Sequence, residues 1–165
     1  MIKKFQCISF VFLVSIIVTN CGNRSEDVES FYVGINDIKQ WINYLDNLGF
    51  ERRRDRTIVL FARAADCKKY ENEINWWNKN ISDLNDTEII LVILEKYEGY
   101  FEAARSAIDV QNPTYQDNNF IALDNELTPF VPSKIFIDYK NKKIIVSKMG
   151  TSQSIKNFLA IVSVT

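Results

Sequence analysis

The chain has 165 residues, of which 47% are hydrophobic and 25% are charged, with only five Gly and three Pro. This composition describes one globular domain with a small remainder, and it excludes collagen-like, low-complexity and multi-domain organisation. Twenty basic against twenty-one acidic residues give no bulk attraction to nucleic acid, and the absence of His excludes Ser-His-Asp and Cys-His catalysis. No Gly-rich phosphate loop and no metal-ligand spacing is present, so we expect neither a cofactor nor a metal.

The first twenty residues combine a basic start with an apolar run. Lys3 and Lys4 precede residues 5–18, a run shorter than the roughly 20 residues that a membrane-spanning helix needs. Residues 19–22 (TNCG) follow directly and resemble the lipobox of bacterial lipoproteins, in the looser form found in Bacteroidota. The resemblance implies cleavage before Cys21 and its acylation, for example with palmitate, since several acyl chains anchor a protein stably where one does not. The alternatives are an ordinary signal peptide with a free Cys21, or an uncleaved anchor.

This reading divides the chain into a signal peptide (1–20), the acylated Cys21 with a tether (21–33) and a folded domain (34–165). It predicts a lipid-anchored protein of the cell envelope, in the outer membrane on its periplasmic or surface face. The expected partners are membrane lipid, through Cys21, and an envelope protein, but not nucleic acid. Cys67 is then the only free thiol of the mature chain and cannot form an internal disulfide.

The folded domain opens with a helix and a buried strand. Apolar residues at helical spacing predict a helix over 36–48, with Gly49 at its C-cap. Residues 51–56 form a charge cluster, for which we favour a solvated loop over an anionic docking patch because two acids dilute it. The apolar run 57–62 predicts a strand buried on both faces.

The next elements alternate in the same way. Asp66 is a good N-cap for a helix over 67–82, whose apolar stripe is Tyr70, Ile74, Trp77 and Ile81. A second buried strand is predicted over 87–95, and a helix over 98–110 with Tyr100, Phe101, Ala104 and Ile108 on one side.

The last third of the chain predicts a hairpin and a closing helix. Residues 115–119 are expected in a polar loop, and 120–123 in a short strand or extended segment. Strands over 133–139 and 142–147 flank a turn in which Asn141 is the residue best suited to a positive φ. A helix over 152–162 follows. The order predicts an α/β domain with a central mixed sheet of about four to five strands, parallel in its first half and flanked by helices.

Two segments of the chain resemble the thioredoxin fold. A lone Cys67 opens the region after the first buried strand, and residues 131–138 (VPSKIFID) resemble the segment that carries the cis-Pro of thioredoxin-like, redoxin-domain lipoproteins. The resemblance implies that Pro132 is cis and faces the site of Cys67, with Val131 beside it.

The departure from that family lies in the tetrad Cys67-Lys68-Lys69-Tyr70, where dithiol enzymes carry Cys-x-x-Cys. We align Cys67 with the nucleophilic position, although a shifted alignment would place Ala64 first and Cys67 second. Either way one of the two sulfurs is absent, so a dithiol-disulfide cycle within one chain is impossible. Tyr70, on the apolar stripe, is expected to fill core volume.

The function of Cys67 stays open between two interpretations. A helix N-terminus together with Lys68 and Lys69 would favour a thiolate, whereas Asp66 opposes it. Cys67 is accordingly either a packed residue in a binding or accessory module, which we favour, or the nucleophile of a monothiol oxidoreductase that forms mixed disulfides. The binding groove would consist of Lys68, Lys69, Tyr70, Val131 and Pro132. A third hypothesis is a structural subunit of a nutrient-uptake or adhesion complex.

Overall fold

The computed structural model describes residues 38–80, 84, 86–108, 112–150 and 152–163. The predicted signal peptide, Cys21 and the tether lie outside these residues.

A five-stranded mixed sheet forms the centre of the domain. Its strands are β1 (Arg56–Arg63), β2 (Thr87–Leu94), β3 (Thr114–Asp117), β4 (Ser133–Asp138) and β5 (Lys143–Lys148), in the spatial order β3-β2-β1-β4-β5. The pairs β1–β2 and β2–β3 are parallel, whereas β1–β4 and β4–β5 are antiparallel. The predicted α/β class, the parallel first half and the strand number are confirmed.

Helices cover both faces of the sheet. They are α1 (Ile38–Asn47), α2 (Glu71–Asn80), α3 (Glu98–Ala107), the single turn α4 (Ile121–Asp124) and α5 (Ser152–Ser163), with a 3-10 turn at Ala64–Asp66. Within the described ranges, no helix is both long and apolar enough to cross a bilayer.

Alternate residues of β1 belong to two separate cores. Ile58, Leu60 and Ala62 face a cluster built with α2, α3 and α5, whereas Val59 and Phe61 face a cluster built with α1. Among the described residues, the buried side chains of both clusters lie within residues 41–162.

Several predicted boundaries and elements are wrong. Residues 115–117, expected in a polar loop, belong to β3, and residues 121–123, expected in a short strand or extended segment, belong to α4. The apolar run 120–123 is not extended because Phe120, its first residue, has a positive φ and leads into the helical turn. Tyr100, expected on the apolar side of α3, is 65% exposed.

The β4–β5 turn also differs from the prediction. The positive φ falls on Lys142 and not on Asn141. Asn141 instead donates its backbone N–H and its side-chain amide to the carboxylate of Asp138, at 2.8 and 2.9 Å. This Asx-type pairing holds Asn141 in place, and the left-handed residue moves one position along the chain.

Candidate functional site

The segments of Cys67 and Pro132 lie at the same end of the sheet. Cys67 lies four residues beyond the end of β1, and Pro132 lies directly before β4. Phe61 of β1 pairs with Ser133 of β4. The segment that follows β1 and the segment that precedes β4 therefore lie at the same end of the strands. The Val131-Pro132 peptide is cis, as the resemblance implied.

The Cys67 thiol is enclosed by protein. Its side chain is fully buried, and Sγ donates a hydrogen bond to the carbonyl oxygen of Arg63 at 3.4 Å. Burial, followed by the negative charge of Asp66, raises the pKa of Cys67 to about 11. Because the thiolate is the nucleophilic form of cysteine, this environment holds the sulfur in its unreactive form at neutral pH.

The helix behind Cys67 starts later than predicted. Asp66 ends the 3-10 turn instead of capping an α-helix, and α2 begins only at Glu71. The backbone N–H of Cys67 bonds to the carbonyl of Ala64 at 3.4 Å, so the cysteine lies in a turn and not in the first turn of α2. Because a helix macrodipole acts within about its first turn, the expected stabilisation of a thiolate is lost.

The three residues after Cys67 separate into two exposed lysines and one packed ring. Lys68 is exposed and its Nζ forms an ion pair with Oε2 of Glu71 at 2.6 Å. Lys69 is exposed, and its Nζ lies 5.3 Å from the centroid of the Tyr70 ring. Tyr70 is partly buried and packs against the cluster that contains Cys67, in line with the predicted role in the core.

A buried ion pair that the sequence pattern did not predict lies on the same face of the sheet as Cys67. The Nζ of Lys134 is 3.0 Å from Oε1 of Glu73, and both side chains are at most 1% exposed. Lys134 also donates to the hydroxyl of Ser154. The Lys134 Nζ lies 5.5 Å from the centroid of the Phe158 ring in α5.

The carboxylate of Glu73 has further donors. The backbone N–H of Gly150 bonds to Oε2 at 2.6 Å, and the indole N–H of Trp77 bonds to Oε1 at 3.3 Å. Burial raises the pKa of Glu73, while the ammonium of Lys134 and the amide of Gly150 act in the opposite direction. The network ties α2 to β4 and to the loop that leads into α5.

Two sequence signals could have found this pair. Lys134 is the only charged residue within the otherwise apolar or small run 131–137, where a lone Lys in a buried strand requires a partner. Glu73 precedes Ile74 and stands one turn before Trp77, on the buried side of the helix. Neither signal identifies the other residue, because the two are 61 positions apart.

Among the residues that the structure describes, no three His, Cys, Asp or Glu side chains form a group that could hold a metal ion.

Comparison with solved structures defines the fold. A protein assigned as the thiol:disulfide interchange protein DsbE from Chlorobium tepidum superposes with a TM-score of 0.57 at 12% identity, covering 73% of this chain and 83% of that one. The chain has a thioredoxin-like fold.

Two further thioredoxin-like neighbours come from Bacteroides. The thioredoxin domain of a thiol-disulfide oxidoreductase from Bacteroides vulgatus gives a TM-score of 0.53 at 15% identity, covering 66% of this chain and 79% of its own. A thiol-disulfide oxidoreductase from Bacteroides fragilis gives 0.54 at 13% identity, covering 68% and 85%. No protein-family profile and no curated protein sequence matches the chain.

Proposed function

We propose that this chain is a lipid-anchored, thioredoxin-like protein of the cell envelope that lacks dithiol redox activity and serves as a binding or accessory module. The binding surface is the groove of Lys68, Lys69, Tyr70, Val131 and Pro132. The observation that carries the proposal is the buried Cys67, whose pKa is raised to about 11 and whose tetrad ends in Tyr70 where dithiol enzymes have a second Cys.

A dithiol enzyme needs two sulfurs because the second one resolves the mixed disulfide formed by the first. Tyr70 has no such chemistry, and its ring packs against the core. Lys68 and Lys69, by contrast, are both exposed next to the turn, with Lys68 in an ion pair with Glu71. Charges at the rim of an interface favour association with a partner of opposite sign. The groove therefore suits an acidic segment of an envelope protein.

The anchoring part of the proposal rests on the sequence. The apolar run 5–18 and Cys21 at its end supply the signal and the acylation site. Incorporation of labelled palmitate into the wild-type chain but not into Cys21→Ser supports it. Equal labelling of the two chains, or none in either, contradicts it.

The alternative is a monothiol oxidoreductase, which the thiol-disulfide oxidoreductases among the structural neighbours favour. In that reaction the Cys67 thiolate attacks a partner disulfide, one partner sulfur joins Cys67 and the other leaves as a thiolate. Alkylation of the native chain by iodoacetamide separates the two functions. We expect Cys67 to react only after denaturation. Rapid alkylation at neutral pH, with a pH dependence of the rate that has its midpoint well below pH 8.5, would favour the enzyme.

Partner capture tests the binding surface itself. Wild type, Cys67→Ser, and Lys68→Glu/Lys69→Glu are compared after cross-linking in cells. We expect Cys67→Ser to retain its partner and the double charge reversal to lose it. Lys79→Glu/Lys156→Glu, with the same charge change at exposed positions of α2 and α5, is the matched control and should retain it. Loss of the partner in Cys67→Ser alone would point to a mixed disulfide instead.

A further inference from the structure

The end of the sheet opposite Cys67 carries two loops rich in basic residues. The loop before β1 contains Arg52, Arg53 and Arg54, and the β4–β5 turn contains Lys140 and Lys142 and leads into Lys143. The sheet register pairs Arg56 with Asp138, and Asp138 with Lys143. Both loops therefore lie at the same end of the strands. We call these six residues (Arg52, Arg53, Arg54, Lys140, Lys142 and Lys143) the basic end.

Direct contacts hold the two loops together. The guanidinium carbon of Arg52 lies 4.6 Å from the centroid of the Tyr139 ring. The backbone N–H of Tyr139 bonds to the carbonyl of Asp55 at 3.0 Å. The basic end is therefore one surface and not two independent loops.

Two carboxylates at this end of the sheet accept hydrogen bonds from the backbone of the loops. Oε1 of Glu88 accepts the backbone N–H groups of Arg53 and Arg54, at 3.1 and 3.4 Å. The buried Asp138 accepts from Asn141 and forms an ion pair with Arg56 at 3.2 Å. These acids fix the backbone of both loops, whereas five of the six basic side chains are exposed.

The local charge is opposite in sign to that of the chain. Asp46 acts electrostatically on Tyr139 and so belongs to this end. Residues 46, 51–56, 86, 88 and 138–143 contain seven basic and six acidic residues, a net charge of +1, against −1 for the whole sequence. The two acids that dilute the cluster in the sequence are Glu51 and Asp55. The structure adds three lysines to the same surface.

We propose that the basic end docks on the anionic lipid headgroups of a membrane. The proposal builds on the anchoring proposed for Cys21. Sixteen residues separate Cys21 from the first described residue, Ile38. Extended, they span up to about 53 Å, so the tether lets any face of the domain reach the bilayer. Electrostatics then selects the face, because each basic residue near an anionic surface strengthens binding about fivefold.

This orientation has a consequence for the proposed binding groove. The basic end and the Cys67 segment lie at opposite ends of the strands, since β1 runs from Arg56, at the basic end, to Arg63, near Cys67. A domain that rests on the bilayer through the basic end presents Cys67, Lys68 and Lys69 away from it. Tethering keeps the basic end at high effective concentration near the lipid, so a weak contact is sufficient.

Vesicle flotation tests the docking without any contribution from the anchor. The chain from residue 22 onward includes every described residue of both clusters, and its fold is first checked by circular dichroism. It is mixed with phosphatidylcholine vesicles, either pure or containing about 30% phosphatidylglycerol, at low and high salt. We expect binding to the anionic vesicles only, with loss at high salt. Equal binding to both vesicle types, or binding to neither, overturns the proposal.

Variants locate the contact. Arg52→Gln/Arg53→Gln/Arg54→Gln should weaken binding by up to about a hundredfold. Lys140→Gln/Lys142→Gln/Lys143→Gln, in the other loop, should weaken it similarly and guards against misfolding of the first variant. Lys68→Gln/Lys69→Gln/Lys96→Gln removes three charges elsewhere and should change binding less than about twofold.

Two outcomes would reject the lipid as the partner. An equal loss in the Lys68/Lys69/Lys96 control would show nonspecific attraction. A single-stranded oligonucleotide or an acidic peptide that binds more tightly than the vesicles at equal charge concentration would assign the surface to a soluble polyanion. Palmitate labelling of Cys21 is a separate measurement, so failure of the anchor and failure of the docking are distinguishable.

Discussion

Removal of Lys134 from the buried ion pair should be among the most damaging single substitutions in this domain. Lys134→Met keeps the length of the side chain and deletes the ammonium that lies 3.0 Å from Glu73. Glu73 keeps the N–H groups of Gly150 and Trp77, but its charge stays buried without a counter-ion. Loss of one partner of a buried pair destabilises a protein by about 3–5 kcal/mol, and we expect this range here.

A double-mutant cycle with Glu73→Gln isolates the pair. The free energy of unfolding is measured by urea denaturation for wild type, both single variants and the double variant. Because the double variant buries no net charge, it should be more stable than Lys134→Met, with a coupling energy of about 2 kcal/mol or more. Lys140→Met, at an exposed position, is the matched control and should stay within about 0.5 kcal/mol of wild type.

The pH dependence has a defined sign. Without Lys134, a major influence that lowers the pKa of Glu73 is gone, so this pKa rises further. Protonation of Glu73 then removes the unpaired charge. The deficit of Lys134→Met relative to wild type should therefore shrink as the pH falls from 7 to 5. Single variants that each lose under about 1 kcal/mol and add without coupling would refute the buried pair.

Three further outcomes follow from the packing. Because folding raises the pKa of Cys67 from 9.0 to about 11, the unfolded chain loses its thiol proton first as the pH rises. The stability of wild type relative to Cys67→Ala should therefore fall by about 2 kcal/mol between pH 9 and 11 in chemical denaturation. A pH-independent difference would show an ordinary thiol. Asp117→Ala deletes the acceptor of the Tyr44 hydroxyl and of two backbone amides of α4. In urea denaturation it should lower the free energy of unfolding by about 2 kcal/mol, whereas Tyr44→Phe should lower it by about 1 kcal/mol. Equal losses would contradict the role of the amides. Glu88→Gln should speed hydrogen exchange at the Arg53 amide while leaving core amides unchanged, and an unchanged Arg53 rate would show that the carboxylate does not hold the loop.

The sheet and most helices could be predicted because their patterns are local. Runs such as 57–62 and 87–95 are apolar at every position, as strands between two helical layers must be. Strand β3 could not be recognised, because its residues are only half-buried apart from Asp117 and its stability comes from pairing with β2. Edge strands of this kind depend on their neighbours and not on their own composition.

The location of the Cys67 and Pro132 segments in the fold could be predicted, but the state of the thiol could not. The order of elements located Cys67 and Pro132, whereas the state of the thiol depends on burial that only the packed structure defines. The delay of α2 to Glu71 arises from the turn at 64–70, which no residue type in that stretch requires. The partnership of Glu73 with Lys134 is a long-range contact and leaves no periodic trace in the sequence.

Because residues of β1 alternate between two cores, adjacent residues in the chain pack against different sets of neighbours. Ile58 and Val59 are covalently joined, yet their side chains enter separate apolar compartments on opposite faces of the sheet. A change in one compartment has no shared contact through which to reach the other. The packing around Cys67 can accordingly be changed, by selection or by design, without replacing any side chain of the Trp41 compartment.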